Sequence, residues 1–251
     1  MTGDMAAPSD SADAGDRPGP DDASDGSGDG VTGDGNDAPA IQNLMPLRTG
    51  NRWEYEVREP GLAPYQKTQT VETAEPVGGR GPHAAKVAFR MVTTKLGGAF
   101  GLPDRTVSWQ RTEGTKIVRF REIAYRAGSD VVNSEEYWDP YKLRLDGQPL
   151  PAPLTTGQRW EERYTEYKVA VATGAVMPMN HVDVWTVSGA SVSVKVPAGT
   201  FSGCVELTKT DGTGTDTGKT YVFCPGVGKV RELGRAGVSQ SEELTSYTIN
   251  P

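Results

Sequence analysis

The residue pair with the most obvious chemistry in this 251-residue chain is Cys204 and Cys224. They lie in apolar, strand-like runs, Cys204-Val205-Glu206-Leu207 and Tyr221-Val222-Phe223-Cys224. The string Asp211-Gly212-Thr213-Gly214-Thr215-Asp216-Thr217-Gly218 between them is a strong turn signal. A hairpin centred on Gly214 sets 204 directly opposite 224. Opposed Cβ atoms on paired strands are ~4.5–5.5 Å apart, so a cross-strand disulfide fits this geometry in an oxidising compartment. The other reading is two buried free thiols. The spacing matches no metal motif, and two thiols without a nearby histidine cannot complete a tetrahedral site. No metal ligands are therefore assigned.

The remaining reactive side chains do not converge. His83 follows Gly81-Pro82 and His181 follows Met177-Pro178-Met179-Asn180, so both read as surface loop residues. There is no Gly-x-Ser-x-Gly elbow and no His-Glu-x-x-His pair. The doublets Glu135-Glu136, Glu161-Glu162 and Glu242-Glu243 cannot form acid–base pairs within themselves, because adjacent strand residues point to opposite faces. They read as solvated strand faces. Arg119, Arg121 and Arg126 read as an ordinary half-exposed strand, with a small anionic headgroup as the functional alternative. Gly226 and Gly228 mark a bulge or turn, since no helix and no Lys-Ser/Thr pair follows to cradle phosphate. Neither a catalytic constellation nor a cofactor is expected, and the chain is read as a non-enzyme.

The elements that would position any site begin after an acidic segment. Residues 1–40 hold ten Asp, one Arg and neither Glu nor Lys, a net charge of −9. The whole chain carries −7, so the other 211 residues carry +2. A near-neutral domain offers no basic face for nucleic acid. Residues 1–42 are expected to form a disordered Asp/Gly/Ser-rich tether, too poor in apolar groups to offset the entropy of ordering. The Asp/Gly strings at 25–30 and 33–37 lack the twelfth-position Glu of a calcium loop. No segment approaches the ~20 apolar residues of a membrane helix, and no signal peptide is visible, so anchoring is expected only if a lipidated cysteine precedes residue 1.

Residues 43–251 read as a single β domain made of two repeats, approximately 46–145 and 153–251. The line Pro46-Leu47-Arg48-Thr49-Gly50-Asn51-Arg52-Trp53-Glu54 returns as Pro153-Leu154-Thr155-Thr156-Gly157-Gln158-Arg159-Trp160-Glu161, identical at seven of nine positions. A recurring string implies a recurring structural element. Alternating apolar residues predict strands at 53–58, 71–74, 86–94, 105–112, 115–125, 135–145 (interrupted at Pro140), 159–171, 182–188, 191–196, 227–233 and 243–249, with the cysteine hairpin between. Residues 126–134 read as a loop, and 146–153 as the connector. The expectation is an all-β, mostly antiparallel fold with little helix: one large curved sheet, either a half-barrel or barrel-like. On an open sheet, Trp53, Tyr55, Trp109, Trp160 and Trp185 would line an apolar ligand; in a closed one they would fill the core.

Three blocks carry a family resemblance: Leu47-x-x-Gly50-Asn51-x-Trp53, Val196-Pro197-Ala198-Gly199-Thr200-Phe201 with Cys204 shortly after, and Gly226-Val227-Gly228-Lys229-Val230. Over residues 44–251 the chain resembles a group of bacterial envelope lipoproteins without assigned activity. Their fold is thought to be like the half-barrel of the Lol lipoprotein carriers. The resemblance implies a cell-envelope location, periplasm or outer-membrane surface, and a half-barrel. It implies no catalytic residues. The expected function is a non-enzymatic envelope domain binding a lipid or other apolar ligand on its curved sheet. The alternative is a structural or protein-interaction module of the cell surface with an envelope protein as partner.

Overall fold

A computed structural model describes residues 43–96, 104–146, 154–212, 218–234 and 240–251. The acidic segment 1–42, most of the connector at 146–153 and the hairpin tip at 213–217 lie outside the described residues. Twelve strands follow one another: β1 Arg52–Arg58, β2 Tyr65–Pro76, β3 Val87–Leu96, β4 Arg105–Glu113, β5 Lys116–Tyr125, β6 Val132–Leu145, β7 Arg159–Val169, β8 Val176–Val196, β9 Gly199–Asp211, β10 Lys219–Cys224, β11 Gly228–Leu233 and β12 Ser241–Thr248. No helix occurs among the described residues, hence none long and apolar enough to cross a membrane.

Each strand pairs antiparallel with its sequence neighbours, and β1 pairs with β12. The sheet is therefore a closed up-and-down barrel. The half-barrel implied by the family resemblance is not what forms, because β12 lies against the whole length of β1, from Arg52↔Thr248 to Arg58↔Ser241. Full closure removes both sheet edges.

Alternation sets the faces. On β1, Trp53, Tyr55 and Val57 are buried, while Arg52 and Arg58 are exposed and Glu54 and Glu56 half-buried. On β7, Glu162, Tyr164 and Glu166 are buried against exposed Arg159, Glu161 and Arg163. A barrel spanning a bilayer needs an apolar outer band; these outer faces are charged.

The up-and-down course gives the barrel two poles. The β1–β2, β3–β4, β5–β6, β7–β8, β9–β10 and β11–β12 connections lie at the tip pole, and the other connections, with residues 43–51, lie at the base pole. The base is the apolar end. Leu44, Met45 and Leu47 are buried with Trp53, Val71 and Met91 in one cluster. All three resemblance blocks meet here. Trp53 donates its indole N–H to Val227 O at 2.5 Å, and Gly226 N–H donates to Asn43 O at 2.8 Å. A Cβ at Gly228, whose φ is +109°, would lie 3.0 Å from Trp53 Nε1, which explains a glycine there. The Pro197–Ala198 turn joins β8 to β9, and Ala198 N–H reaches Leu244 O at 2.9 Å.

The two copies of the recurring line adopt one turn. Gly50 and Gly157 share a φ of +88°. Gly50 N–H donates to Val71 O (2.7 Å) and Val71 N–H to Asn51 O (2.9 Å); Gly157 N–H donates to Val187 O (2.8 Å) and Val187 N–H to Gln158 O (2.9 Å). Asn51 adds what Gln158 does not: its amide donates to Pro46 O and its Oδ1 accepts from Asn250 N–H. The chain's C-terminal end is thereby tied beside the start of β1.

Three stretches differ from the sequence expectation. β6 begins at Val132, inside the expected 126–134 loop, and runs on through Pro140 to Leu145 without interruption. Residues 177–180 are not a loop, and 182–188 and 191–196 are not separate strands. One strand, β8, runs from Val176 to Val196. Pairing with β7 carries it through Pro178, opposite Tyr167, and register shifts between Val187 and Val194 absorb the Ser188-Gly189-Ala190 break. β2 begins at Tyr65 rather than 71 because its polar residues Lys67 and Gln69 face Tyr55 and Trp53 across the ladder, inside the barrel.

Cys204 and Cys224 are joined by a disulfide with Cα atoms 4.2 Å apart, in line with the 205↔223 register of β9 and β10. Removing this link, which closes a 20-residue separation, by the double change Cys204→Ala/Cys224→Ala is expected to lower stability by about 3 kcal/mol. Urea unfolding of the two proteins measures this, and an unchanged midpoint would contradict it.

Candidate functional site

The five aromatic candidates do not form one wall. Trp53, Tyr55 and Trp185 are at most 2% exposed, Trp109 is buried, and Trp160 is half-buried. Trp160 and Trp185 face each other across β7 and β8 as near-parallel rings with centroids 6.4 Å apart. Trp53 and Tyr55 are engaged by the base and by β11: the Tyr55 hydroxyl donates to Lys229 O at 2.9 Å. Trp109 stands apart, with Arg121 over its ring and its N–H on Glu75.

Sequence reasoning missed a charged interior. Behind the β1–β12 seam, Lys67 holds both oxygens of Glu242 at 2.5 and 2.6 Å. Lys229 bridges Glu232 (2.5 Å) and Glu242 (2.7 Å), and Lys219 reaches Glu232 at 2.9 Å. The Lys67 and Lys229 ammonium groups both approach the Tyr55 ring, 5.4 and 5.2 Å from its centroid. Burial alone would raise the Glu242 carboxyl, but Lys229 and Lys67 hold it down at about 2. Burial and the nearby Lys229 charge push the Lys67 ammonium down to about 8. Tyr55 is pushed far above its ordinary range by burial.

A second cluster lies between β6 and β9. Glu162 opposes Asp183 across β7 and β8. Lys209 reaches Asp183 at 2.5 Å and the Tyr164 hydroxyl donates to it at 3.2 Å. Among the described residues Glu162 accepts from neutral donors, the Leu143 N–H and, at 3.4 Å, the Trp185 indole. Its burial, with Asp183 opposite, pushes its carboxyl up to about 7. Glu166 accepts from the Trp138 indole at 3.1 Å, with His181 at 3.2 Å and Lys142 at 4.0 Å. No group of three or more potential metal ligands occurs among the described residues.

These contacts correct several expectations. His181 is not a loop residue; it lies in β8, stacked on Tyr164 at 5.1 Å. His83 does lie in a turn, but it packs on Phe120 at 4.9 Å and reaches Asp139 rather than standing free at the surface. Glu162 and Glu242 are buried members of doublets read as solvated. Arg119 and Arg121 are committed to Glu122 and Glu135, which leaves them poorly placed for a headgroup. The signal was available at one place: Trp160, Glu162, Tyr164 and Glu166 share a face by period two.

The surface carries a different feature. Of the ten exposed large apolar residues among the described ones, eight lie at the tip pole: Leu62, Leu96, Val131, Val171, Val176, Met177, Met179 and Leu233. The other two, Val87 and Tyr247, lie toward the base. Scattered exposed apolar residues are ordinary, whereas here most of those described share one end of the barrel.

Fold and site together define a closed antiparallel barrel with an apolar base, charged interior clusters and a tip rim where exposed apolar residues stand among charged ones. No protein family matches the sequence, and no curated protein matches it. Two solved structures are similar in shape. One is a candidate exported protein with YmcC-like fold from Bacteroides fragilis, with TM-score 0.47 and 10% identity over 83% of this chain and 100% of that one. The other is a candidate lipoprotein from Parabacteroides distasonis, with TM-score 0.37 and 12% identity over 83% and 100% of the two chains.

The raised Glu162 carboxyl has a defined pH signature. Below the unfolded value near 4.5 both states are protonated. Between there and about 7 the folded state binds the extra proton, so stability falls as pH rises through that window and is level above it. Glu162→Gln is expected to remove up to about 3 kcal/mol of this slope. Stability curves of wild type and variant from pH 4 to 8 test it; parallel curves would contradict it.

Proposed function

We propose that this chain is a non-enzymatic barrel of the cell envelope that works by contact, presenting its tip rim to an envelope protein partner. The observation that carries the reading is the concentration of exposed apolar side chains on one rim. Two others agree. A Cys204–Cys224 disulfide suits an oxidising compartment. The interior beside Trp53 and Tyr55 is occupied by protein groups, and the cavity there has a volume of about 10 Å³, room for one water and not for an acyl chain. The resemblance to envelope lipoproteins supports the location.

Site-specific photo-crosslinkers at positions 96, 171 and 177, with position 87 at the base as control, test this in cells that make the protein. Covalent protein adducts are expected from tip positions and not from 87. A chain with no adducts at any tip position, or one that releases a bound acyl ligand in native mass spectrometry, would return the case to lipid carriage.

A further inference from the structure

Two methionines and a histidine alternate at the tip end of β8, in the string Met177-Pro178-Met179-Asn180-His181. Residues two apart on a strand share a face. The ladder with β7 sets Met177 opposite Lys168, Met179 opposite Glu166 and His181 opposite Tyr164. The intervening Asn180 lies on the other face, where it meets the Thr165 hydroxyl.

The imidazole is fixed toward this row. It stacks on Tyr164, and its Nε2 lies 3.2 Å from the carboxylate of Glu166, the residue directly across from Met179. The ring therefore leans toward that methionine. Its Nε2 is buried and makes no hydrogen bond, and a neutral imidazole nitrogen is the commonest metal ligand. The two thioethers are open, Met177 54% and Met179 45% exposed, whereas Met45 and Met91 are buried. β9 pairs with β8 only from Asp183 onward, so among the described residues the row is laddered on the β7 side alone. Alternate Cα atoms of a strand are about 7 Å apart, a gap that flexible methionine side chains close.

Histidine, cysteine and carboxylates by themselves form no metal group among the described residues. Thioethers are a further ligand class, and they select soft ions such as Cu(I). Both cysteines are joined in the disulfide, so no thiolate competes. Lys168 and Lys142 stand 3.5 and 4.0 Å from Glu166, and two ammonium groups beside the row favour a monovalent ion over a divalent one.

We propose that Met177, Met179 and His181 bind one soft monovalent cation of the Cu(I) class at the tip end of β8. Two thioether sulfurs and His181 Nε2 supply the ligands, and Glu166 sets a negative charge beside the ion. The site does not rest on the contact reading above: crosslinking detects a partner, and metal titration detects an ion.

The test is titration of the full chain with Ag(I), a redox-inert stand-in for Cu(I), in nitrate buffer that leaves the disulfide oxidised. The methionine methyl groups are followed by proton–carbon NMR. One equivalent of Ag(I) is expected to shift Met177 and Met179 and to leave Met45 and Met91 in place, with Met1 and Met5 moving only in excess. One equivalent of Zn(II) should move none of them. The volume-conserving double change Met177→Leu/Met179→Leu should weaken Ag(I) binding by about 100-fold, and His181→Gln by about tenfold, the range that loss of a group supporting a metal site costs. Met177 and Met179 signals that ignore Ag(I) or answer Zn(II) equally, or undiminished binding in the double variant, overturn the proposal. Should a variant not fold, the wild-type titration decides by itself.

Discussion

Glu242, 1% exposed, carries its charge behind the strand that closes the barrel. Lys67 stands on β2 and Glu242 on β12, so their contact spans β1 from one side to the other. A carboxylate in that position is tolerable only while its cations are in place. Its cations are in place only while β12, β1 and β2 are neighbours. The ion network and the closed topology therefore stabilise each other, and an open sheet would leave Glu242 without Lys67.

The width of the barrel explains why such groups are inside at all. Barrel diameter grows with strand number, and about eight strands already leave an interior just filled by side chains. Twelve strands enclose more space than valines and leucines on the wall can reach across. At the base, extra chain enters to help: Leu44, Met45 and Leu47 join the core from outside the ladder. Further up, long side chains reach instead: Lys67 and Lys229 meet Glu242 in one cluster, and Lys142 lies over the Trp138 ring near buried Glu162 and Glu166 in another. Lysine and glutamate fill volume with their stems and then have to be paired at their heads.

Much of the wall was legible from the sequence. Trp53, Tyr55 and Val57 alternate with charged residues, and the chain forms a strand there. The 204–224 opposition followed from counting outward from Gly214, and the 205↔223 register agrees. What was not legible depended on distant pairing. Nothing local distinguishes an open sheet from a closed one, because closure is the meeting of Arg52 with Thr248. The glutamate doublets were ambiguous for a related reason. In Glu161-Glu162 one residue must face inward, and only a charged interior makes that acceptable. Met177-Pro178-Met179-Asn180 carries the local marks of a loop, yet the ladder with β7 prevails over local propensity, as tertiary context commonly does in strands.

The tie between Asn250 and Asn51 places both ends of the described barrel at one corner of the base. β1 leads away from that corner and β12 leads back to it, hydrogen-bonded side by side. A pulling force applied between residue 43 and Pro251 would load this seam from its end, one pair at a time, rather than along its length. The barrel is built to open under tension like a zipper, beginning at the base and reaching the buried Glu242 only near the end of the seam.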